Sequence, residues 1–557
     1  MATRAQERSL WAAITDRLAA WYLGLSAEKC SYTAQALKIP MKDGVELAAD
    51  FYNPILTRTS RLSGLLLVQT CYGRDDAMAI FNARVYASRG YQVLFVSSRG
   101  TFGSGGQFDP GRNEQSDSRD IVAWMRAQPW YPGRFATAGA SYLGYSQWAL
   151  LHDPPQDCVA AVIPAGMHDL SRQSWGTGAL LMQRIVWSDL IARQEDVSLG
   201  LWARVWALAT ARDRQQGLHQ MLDGLPLLES VQRHFNGDAP WIEDVMTRQD
   251  LKDPYWAPTQ HEVALERVDI PILLINGWLD LFSRQVQTFD QYRRLKERGC
   301  PVAFTVGPWS HVEACGMKTL PDMMSFLDSH VARNKAEDPL VVRIFVTGAQ
   351  EWREMESWPP PTVPFTTYLH GDGSLGKAGL PADVAPSTFT YDPLDPTPTV
   401  EPGKDDKAVF GDRTDVLAYT SDPLEWDMEI LGQPTVQLAH SSDIPFVDLV
   451  IRLSELDPAT GVSRCITERF QALDPNRDAT PLQLTLSDCA HRVKKGKSIR
   501  LTVAGGSFPL YARNLGTEGN RVLGSTTRPA KHTISYSGGL SYLTLPTSEE
   551  YSDKTQE

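Results

Sequence analysis

No run of uninterrupted apolar residues in this 557-residue chain is as long as about eighteen, which excludes a membrane-spanning helix. There is no basic tract either. With 54 Lys and Arg against 66 Asp and Glu the net charge is -12, so little is available to neutralise phosphates, and nucleic acid is excluded as the main partner. Cysteine is sparse. Cys30, Cys71, Cys158, Cys300, Cys315, Cys465 and Cys489 are odd in number and scattered without a C-x-x-C pair. That pattern indicates neither a disulfide framework nor a zinc site, so no metal or cofactor is expected and a reducing compartment is favoured. The short apolar run Leu18–Leu25 fails as a secretory signal, because Asp16 and Arg17 interrupt it, Arg4, Glu7 and Arg8 spread charge before it, and no small-x-small cleavage site follows. It reads as an amphipathic helix with Trp11, Ile14, Leu18 and Tyr22 on one face, and a cytoplasmic location is expected. Internal repeats are absent, and proline-rich 385–404 reads as a surface loop.

What is present is globular composition, 42% apolar and 22% charged, in a chain too long for one ordinary core. Apolar strand-like runs at Leu65, Val93, Phe135, Val159, Ile272 and Val302 are joined by helix-like segments such as Ser118–Gln128 and Ser283–Arg298. This alternation predicts an α/β fold with a doubly wound sheet. Between about Gly166 and His261 it is interrupted by Trp- and Leu-rich segments, Leu180–Arg193 and Leu199–Arg212, which predict an inserted helical cap. After Trp358-Pro359-Pro360-Pro361 the chain changes to short strands at Phe365–Leu369, Thr435–Ala439, Val447–Leu453, Ser498–Val503 and Thr533–Tyr536. That is the pattern of an all-β sandwich. The expected boundaries are 30–155 and 261–359 for the α/β core, 156–260 for the cap and 360–557 for the sandwich.

Chemistry concentrates at Gly139-Ala140-Ser141-Tyr142-Leu143-Gly144. Arg134–Ala138 reads as a buried strand and Tyr142–Leu151 as an amphipathic helix ended by His152-Asp153-Pro154-Pro155, so Ser141 sits on a sharp strand-to-helix turn. The second glycine comes three residues after the serine, with Leu143 in the place that G-x-S-x-G gives to glycine. Such serines are often only helix caps. A nucleophilic serine needs a base to take its proton and a carboxylate to orient the base, and α/β-hydrolases supply acid then histidine downstream. Asp280 follows the strand-like Ile272–Asn276, and His311 follows Val302–Val306. Asp280 alone is equally well a helix cap, and His311 is one of 11 histidines. Their joint order and position after apolar strands favour a triad. Asp169, after Val159–Pro164, is a rival acid.

The chain resembles the family of cocaine esterase and X-Pro dipeptidyl-peptidase serine hydrolases. The resemblance rests on G-x-S-Y-x-G at Gly139–Gly144, G-W-x-D at Gly277–Asp280 and G-P-W-x-H at Gly307–His311, with weaker matches from Met41 to Asn514. It favours Asp280 over Asp169. It implies an α/β-hydrolase core with an inserted cap and a C-terminal jelly-roll domain, a triad of Ser141, Asp280 and His311, and a homodimer. It also implies an oxyanion hole made by the backbone N–H of Tyr142 and the hydroxyl of Tyr72, which follows the strand Leu65–Thr70. Trp175, Trp187 and Phe282 are its candidates for an acyl pocket; each is equally well a core aromatic. The glycine-rich Gly100–Gly106 lacks a Walker lysine and reads as a loop near the site. The activity expected is hydrolysis of a small-molecule ester with a hydrophobic or aromatic acyl group through an acyl-enzyme. The alternatives are an amidase, thioesterase or acyltransferase using the same triad, and a non-catalytic binding protein using the β-sandwich. Leu281-Phe282-Ser283-Arg284, after the acid, lacks an acidic pair to grip a substrate ammonium, which disfavours peptidase and α-amino ester activity.

Overall fold

The structure is a computed structural model and describes residues 4–57, 61–197, 211–280, 287–333, 340–381, 384–477 and 481–549. Contacts divide these residues into two compact units, one within Met1–Gln173, Ile191–Gly200 and Pro254–Arg343, the other within Ser174–Leu190, Leu201–Asp253 and Ile344–Glu557.

The first unit is α/β. Its strands are β1 (Gln6–Glu7), β2 (Ser31–Pro40), β3 (Glu46–Ile55), β4 (Gly64–Thr70), β5 (Tyr91–Ser97), β6 (Phe135–Ala138), β7 (Cys158–Pro164), β8 (Ile272–Gly277) and β9 (Val302–Gly307), in the spatial order 1-2-3-5-4-6-7-8-9. From β5 to β9 every neighbouring pair is parallel, whereas β1, β2 and β3 join antiparallel at the other edge. Every residue of β4, β5, β6, β8 and β9 is buried. Strands covered on both faces carry continuous apolar runs, which is why these were legible. The β2–β3 hairpin is different. β2 is largely half-exposed and β3 mixes polar with buried apolar residues, so neither gave an apolar run, and Asp43-Gly44 turns the hairpin, with Met41 N–H donating to the Val45 carbonyl at 2.7 Å.

Helices Glu114–Arg126, Tyr142–Leu151 and Thr288–Glu297 pack on this sheet. The first starts four residues earlier than expected. The second departs more: all ten of its residues are buried, so it is not amphipathic. Two of its polar members bond internally, Ser146 Oγ donating to the Tyr142 carbonyl at 3.2 Å and Gln147 bonding to the nucleophile turn.

The second unit is built on an all-β network of thirteen strands, nearly all paired antiparallel. Its core follows a period of two. In the strand Asp448–Leu456, Leu449, Ile451 and Leu453 join one cluster with Leu501, Val503 and Leu543, while Val450 faces another with Phe470 and Ala504. The expected surface loop at 385–404 is anchored instead: it contains the strand Ser387–Tyr391, Phe389 lies in the core, and buried Thr397 donates to Asp415 at 2.6 Å. Its prolines punctuate an ordered path rather than an exposed one. Helices Ala211–Asp223, Leu227–Phe235 and Ile242–Thr247 belong to this unit. Most of the helix expected over Leu199–Arg212 lies outside the described residues. Ala512 N–H donates to the Leu180 carbonyl at 2.9 Å and Leu228 N–H to the Val522 carbonyl at 2.9 Å, so the inserted segment is tied by backbone bonds to the C-terminal strands' own unit. Among the described residues no helix is long and apolar enough to cross a membrane.

Candidate active site

Ser141, Tyr72, Asp280 and His311 all stand just past the carboxyl ends of parallel strands β6, β4, β8 and β9, where open α/β sheets bind ligands. Ser141 has φ 58° and ψ -120°, a conformation that side chains other than glycine seldom adopt. Neighbouring bonds hold it there. Its N–H donates to the Pro164 carbonyl at 2.9 Å, and the buried Gln147 amide donates to the carbonyls of Gly139 at 2.8 Å and Val162 at 3.0 Å while accepting from Thr137 Oγ1 at 2.8 Å. The displaced glycine of the motif has a packing reason. A Cβ on Gly144 would stand 2.7 Å from the Cα of Gly166, where the helix crosses the chain leaving β7. Leu143, in the usual glycine position, points into the core instead.

The acid and base loops are zipped together. Trp278 N–H donates to the Gly307 carbonyl at 2.9 Å and Leu279 N–H to the Trp309 carbonyl at 3.0 Å. Trp309 packs so closely that a Cβ on Gly277 would lie 2.0 Å from its carbonyl oxygen. This explains the glycines of both motifs and the tryptophan of the second: they let the two loops approach and so set the separation of Asp280 and His311. The result is a hydrogen-bonded chain, Ser141 Oγ to His311 Nε2 at 2.9 Å and His311 Nδ1 to Asp280 Oδ2 at 2.9 Å. Asp280 is fully buried. Burial opposes charge on His311, but the Asp280 carboxylate, with the Cys315 side chain, raises its pKa well above the ordinary imidazole value. Asp169 is not part of this chain; its carboxylate accepts from Ser171 Oγ at 2.6 Å and from the Ser171 N–H at 2.8 Å.

Tyr142 opens its helix, so its N–H is among the end groups that lack an intrahelical acceptor and lies at the positive end of the helix dipole. The Tyr72 ring meets the Tyr142 ring edge-on, centroids 6.5 Å apart. Sequence reasoning missed what lies behind Tyr142. Its hydroxyl donates to Glu114 Oε1 at 2.5 Å and accepts from Gly111 N–H at 2.8 Å, and burial pushes the Glu114 carboxyl up to about 7. An acidic residue at a helix start reads as a solvated cap; nothing in its local sequence marks it as buried. Gln194 and Glu195 were missed too. Gln194 Nε2 donates to the Cys71 carbonyl beside Tyr72 at 2.8 Å, and Glu195 Oε1 accepts from Phe102 N–H, in the glycine-rich loop, at 2.9 Å.

Trp175 and Trp187 lie in the second unit. Trp175 is buried with Nε1 donating to the Val245 carbonyl at 2.8 Å, and the Arg184 guanidinium sits 5.0 Å from the centre of the Trp187 ring. Phe282 lies outside the described residues. Among the described residues, no group of three or more His, Cys, Asp or Glu side chains is gathered as a metal site would require.

Comparison with known proteins bears on the family and the fold. A family model described as X-Pro dipeptidyl-peptidase (S15 family) matches residues 43–313, and one described as the X-Pro dipeptidyl-peptidase C-terminal non-catalytic domain matches residues 334–544. Cocaine esterase from a Rhodococcus species is 27% identical over 553 residues, covering 87% of this chain and 93% of its own. Among solved structures, an α-amino acid ester hydrolase is similar with TM-score 0.75 at 19% identity, covering 94% of this chain and 98% of its own. An aminopeptidase from a marine sediment Thaumarchaeota archaeon also gives TM-score 0.75, at 21% identity, covering 93% and 96%. An α/β domain bearing a serine on a strained turn, followed by an all-β domain, is therefore an α/β-hydrolase architecture, and the chain carries an X-Pro dipeptidyl-peptidase (S15 family) domain followed by the C-terminal non-catalytic domain of such peptidases, and is homologous to cocaine esterase.

Proposed function

We propose that this chain is a carboxylic ester hydrolase that forms an acyl-enzyme on Ser141. The observation that carries the reading is the 2.9 Å and 2.9 Å chain from Ser141 through His311 to Asp280. Ser141 Oγ attacks the ester carbonyl as His311 Nε2 takes its proton; Asp280 fixes the tautomer and stabilises the imidazolium. The negative charge on the former carbonyl oxygen is held by the Tyr142 N–H and the Tyr72 hydroxyl. His311 then returns the proton to the departing alkoxide. Water, deprotonated by the same imidazole, attacks the acyl-enzyme and releases the acid.

The preferred acyl group is hydrophobic or aromatic. Support for an ester comes from the names of the relatives, a cocaine esterase and an α-amino acid ester hydrolase. The segment Leu281-Phe282-Ser283-Arg284 supplies no paired carboxylates for a free amino terminus, which separates this reading from dipeptide release. The test is a panel of p-nitrophenyl esters, matched anilides and acyl thioesters with acetyl, butyryl and benzoyl groups. The reading predicts the highest kcat/KM for oxygen esters of the larger acyl groups. Preference for anilides or thioesters would move the same triad to amidase or thioesterase chemistry, and failure to react even with a fluorophosphonate would favour a binding protein.

A further inference from the structure

The helix Leu10–Tyr22 is built inside out. Its inward side is polar: Asp16, only 1% exposed, accepts from the Tyr32 hydroxyl at 2.8 Å and pairs with Arg8 at 2.8 Å and Arg84 at 2.7 Å. Arg84 also donates to the Ala12 carbonyl at 3.0 Å and to Thr15 Oγ1 at 2.8 Å. Its outward side carries Leu10, Trp11, Ile14, Leu18, Trp21 and Tyr22, exposed by 80, 71, 44, 61, 81 and 70%. A surface helix ordinarily buries such a stripe and wets its charges. Here an ion-pair cluster fixes the helix to the body, and the stripe is turned to solvent.

Three features say what covers it. Trp11, Ile14, Leu18 and Trp21 are spaced three, four and three apart, the spacing of a helix–helix seam rather than of contact with a flat surface. Arg17 is the single charged residue on that side, and its Nε is 3.1 Å from Glu28 Oε2 on the same molecule. A bilayer-surface helix recruits anionic lipid through Lys and Arg on its free polar face; this polar face is consumed internally and the chain carries a net charge of -12. Large side chains bury roughly 150–250 Å² each, so the exposed parts of these six amount to on the order of 800 Å², what one partner brings to a standard interface. A seam whose one charge, Arg17, is paired with Glu28 of its own molecule is complementary to itself under two-fold symmetry.

We propose that the Leu10–Tyr22 helix is the docking surface for a second copy of this chain, the two helices packing antiparallel with Trp11 of each against Trp21 of the other. This assigns a place to dimerisation and is independent of the chemistry at Ser141. The experiment is sedimentation velocity of the full chain at micromolar concentrations, comparing the wild type with a Leu18→Glu, Trp21→Glu double variant, with circular dichroism and ester turnover measured on both. The wild type should sediment at twice the monomer mass of 61.9 kDa and the double variant at that monomer mass, with spectrum and turnover unchanged. A wild type that stays monomeric, or a double variant that stays dimeric, would overturn the proposal. So would a monomeric wild type that co-floats with phosphatidylcholine vesicles, since the stripe would then serve a lipid surface.

Discussion

Ser141 at φ 58° stores roughly 1–3 kcal/mol of backbone strain, which the bonds from Gln147 and to Pro164 offset. The strained turn aims Oγ at His311, and the proton has one place to go. Since Asp280 raises the His311 pKa, the imidazole is protonated, and useless as a base, up to a pH above the ordinary value near 6.5. Activity therefore rises with pH through a limb lying above that of free imidazole, and Asp280→Asn should both lower kcat and shift the limb downward; a pH profile of kcat/KM reads both. If Tyr72 supplies an oxyanion donor as proposed, replacement by Phe removes that donor and leaves the ring packing, so turnover should fall on the order of a hundredfold or more with thermal stability unchanged. Steady-state kinetics beside a melting curve separates those effects. Ser141, Asp280 and His311, which share one hydrogen-bonded chain, could be read from motifs whose glycines and tryptophans surround them, whereas Tyr72 came only from the family resemblance. Glu114 and Gln147 were not, because an acidic residue and an amide within helices read as solvent-facing until the second layer covering them is known.

The helix Tyr142–Leu151 links fold to site: its burial on every side fixes where the Tyr142 N–H points. Gly144 allows its close approach to Gly166. Gly144→Ala forces the helix outward, with an expected cost of about 1–3 kcal/mol and a drop in kcat larger than the change in KM; unchanged melting temperature and kcat would contradict this account of the motif. Strands β4 to β9 could be read from continuous apolar runs, since burial on both faces demands them. The β2–β3 hairpin could not, because its pattern is mixed and its signal lies in a two-residue turn. Trp11, Ile14, Leu18 and Tyr22 were correctly placed on one helix face, yet periodicity cannot say whether a face points in or out; the Asp16 cluster decides that.

At the scale of the whole molecule, buried histidines couple both units to pH. Burial holds His168, His261 and His532 down to about 3 and His440 to about 4. On unfolding each regains a value near 6.5, so between about pH 6.5 and 3 the unfolded chain binds protons that the fold refuses, and stability falls as pH falls. Glu114 runs the other way: its carboxyl, at about 7 in the fold, contributes stability that is full below about pH 4.5 and lost as pH rises through 7. His311, whose pKa is raised, also runs the other way, but above about pH 6.5, so from about pH 6.5 to 4 the four large histidine shifts dominate and the melting temperature is predicted to decrease, measurable by calorimetry. The central claim, acyl transfer at Ser141, is tested most directly by mixing wild type and Ser141→Ala with p-nitrophenyl benzoate and recording burst kinetics and intact mass. A stoichiometric burst and a benzoyl mass increase confined to the wild type are predicted. Equal turnover by Ser141→Ala, or an adduct on the variant, would contradict it.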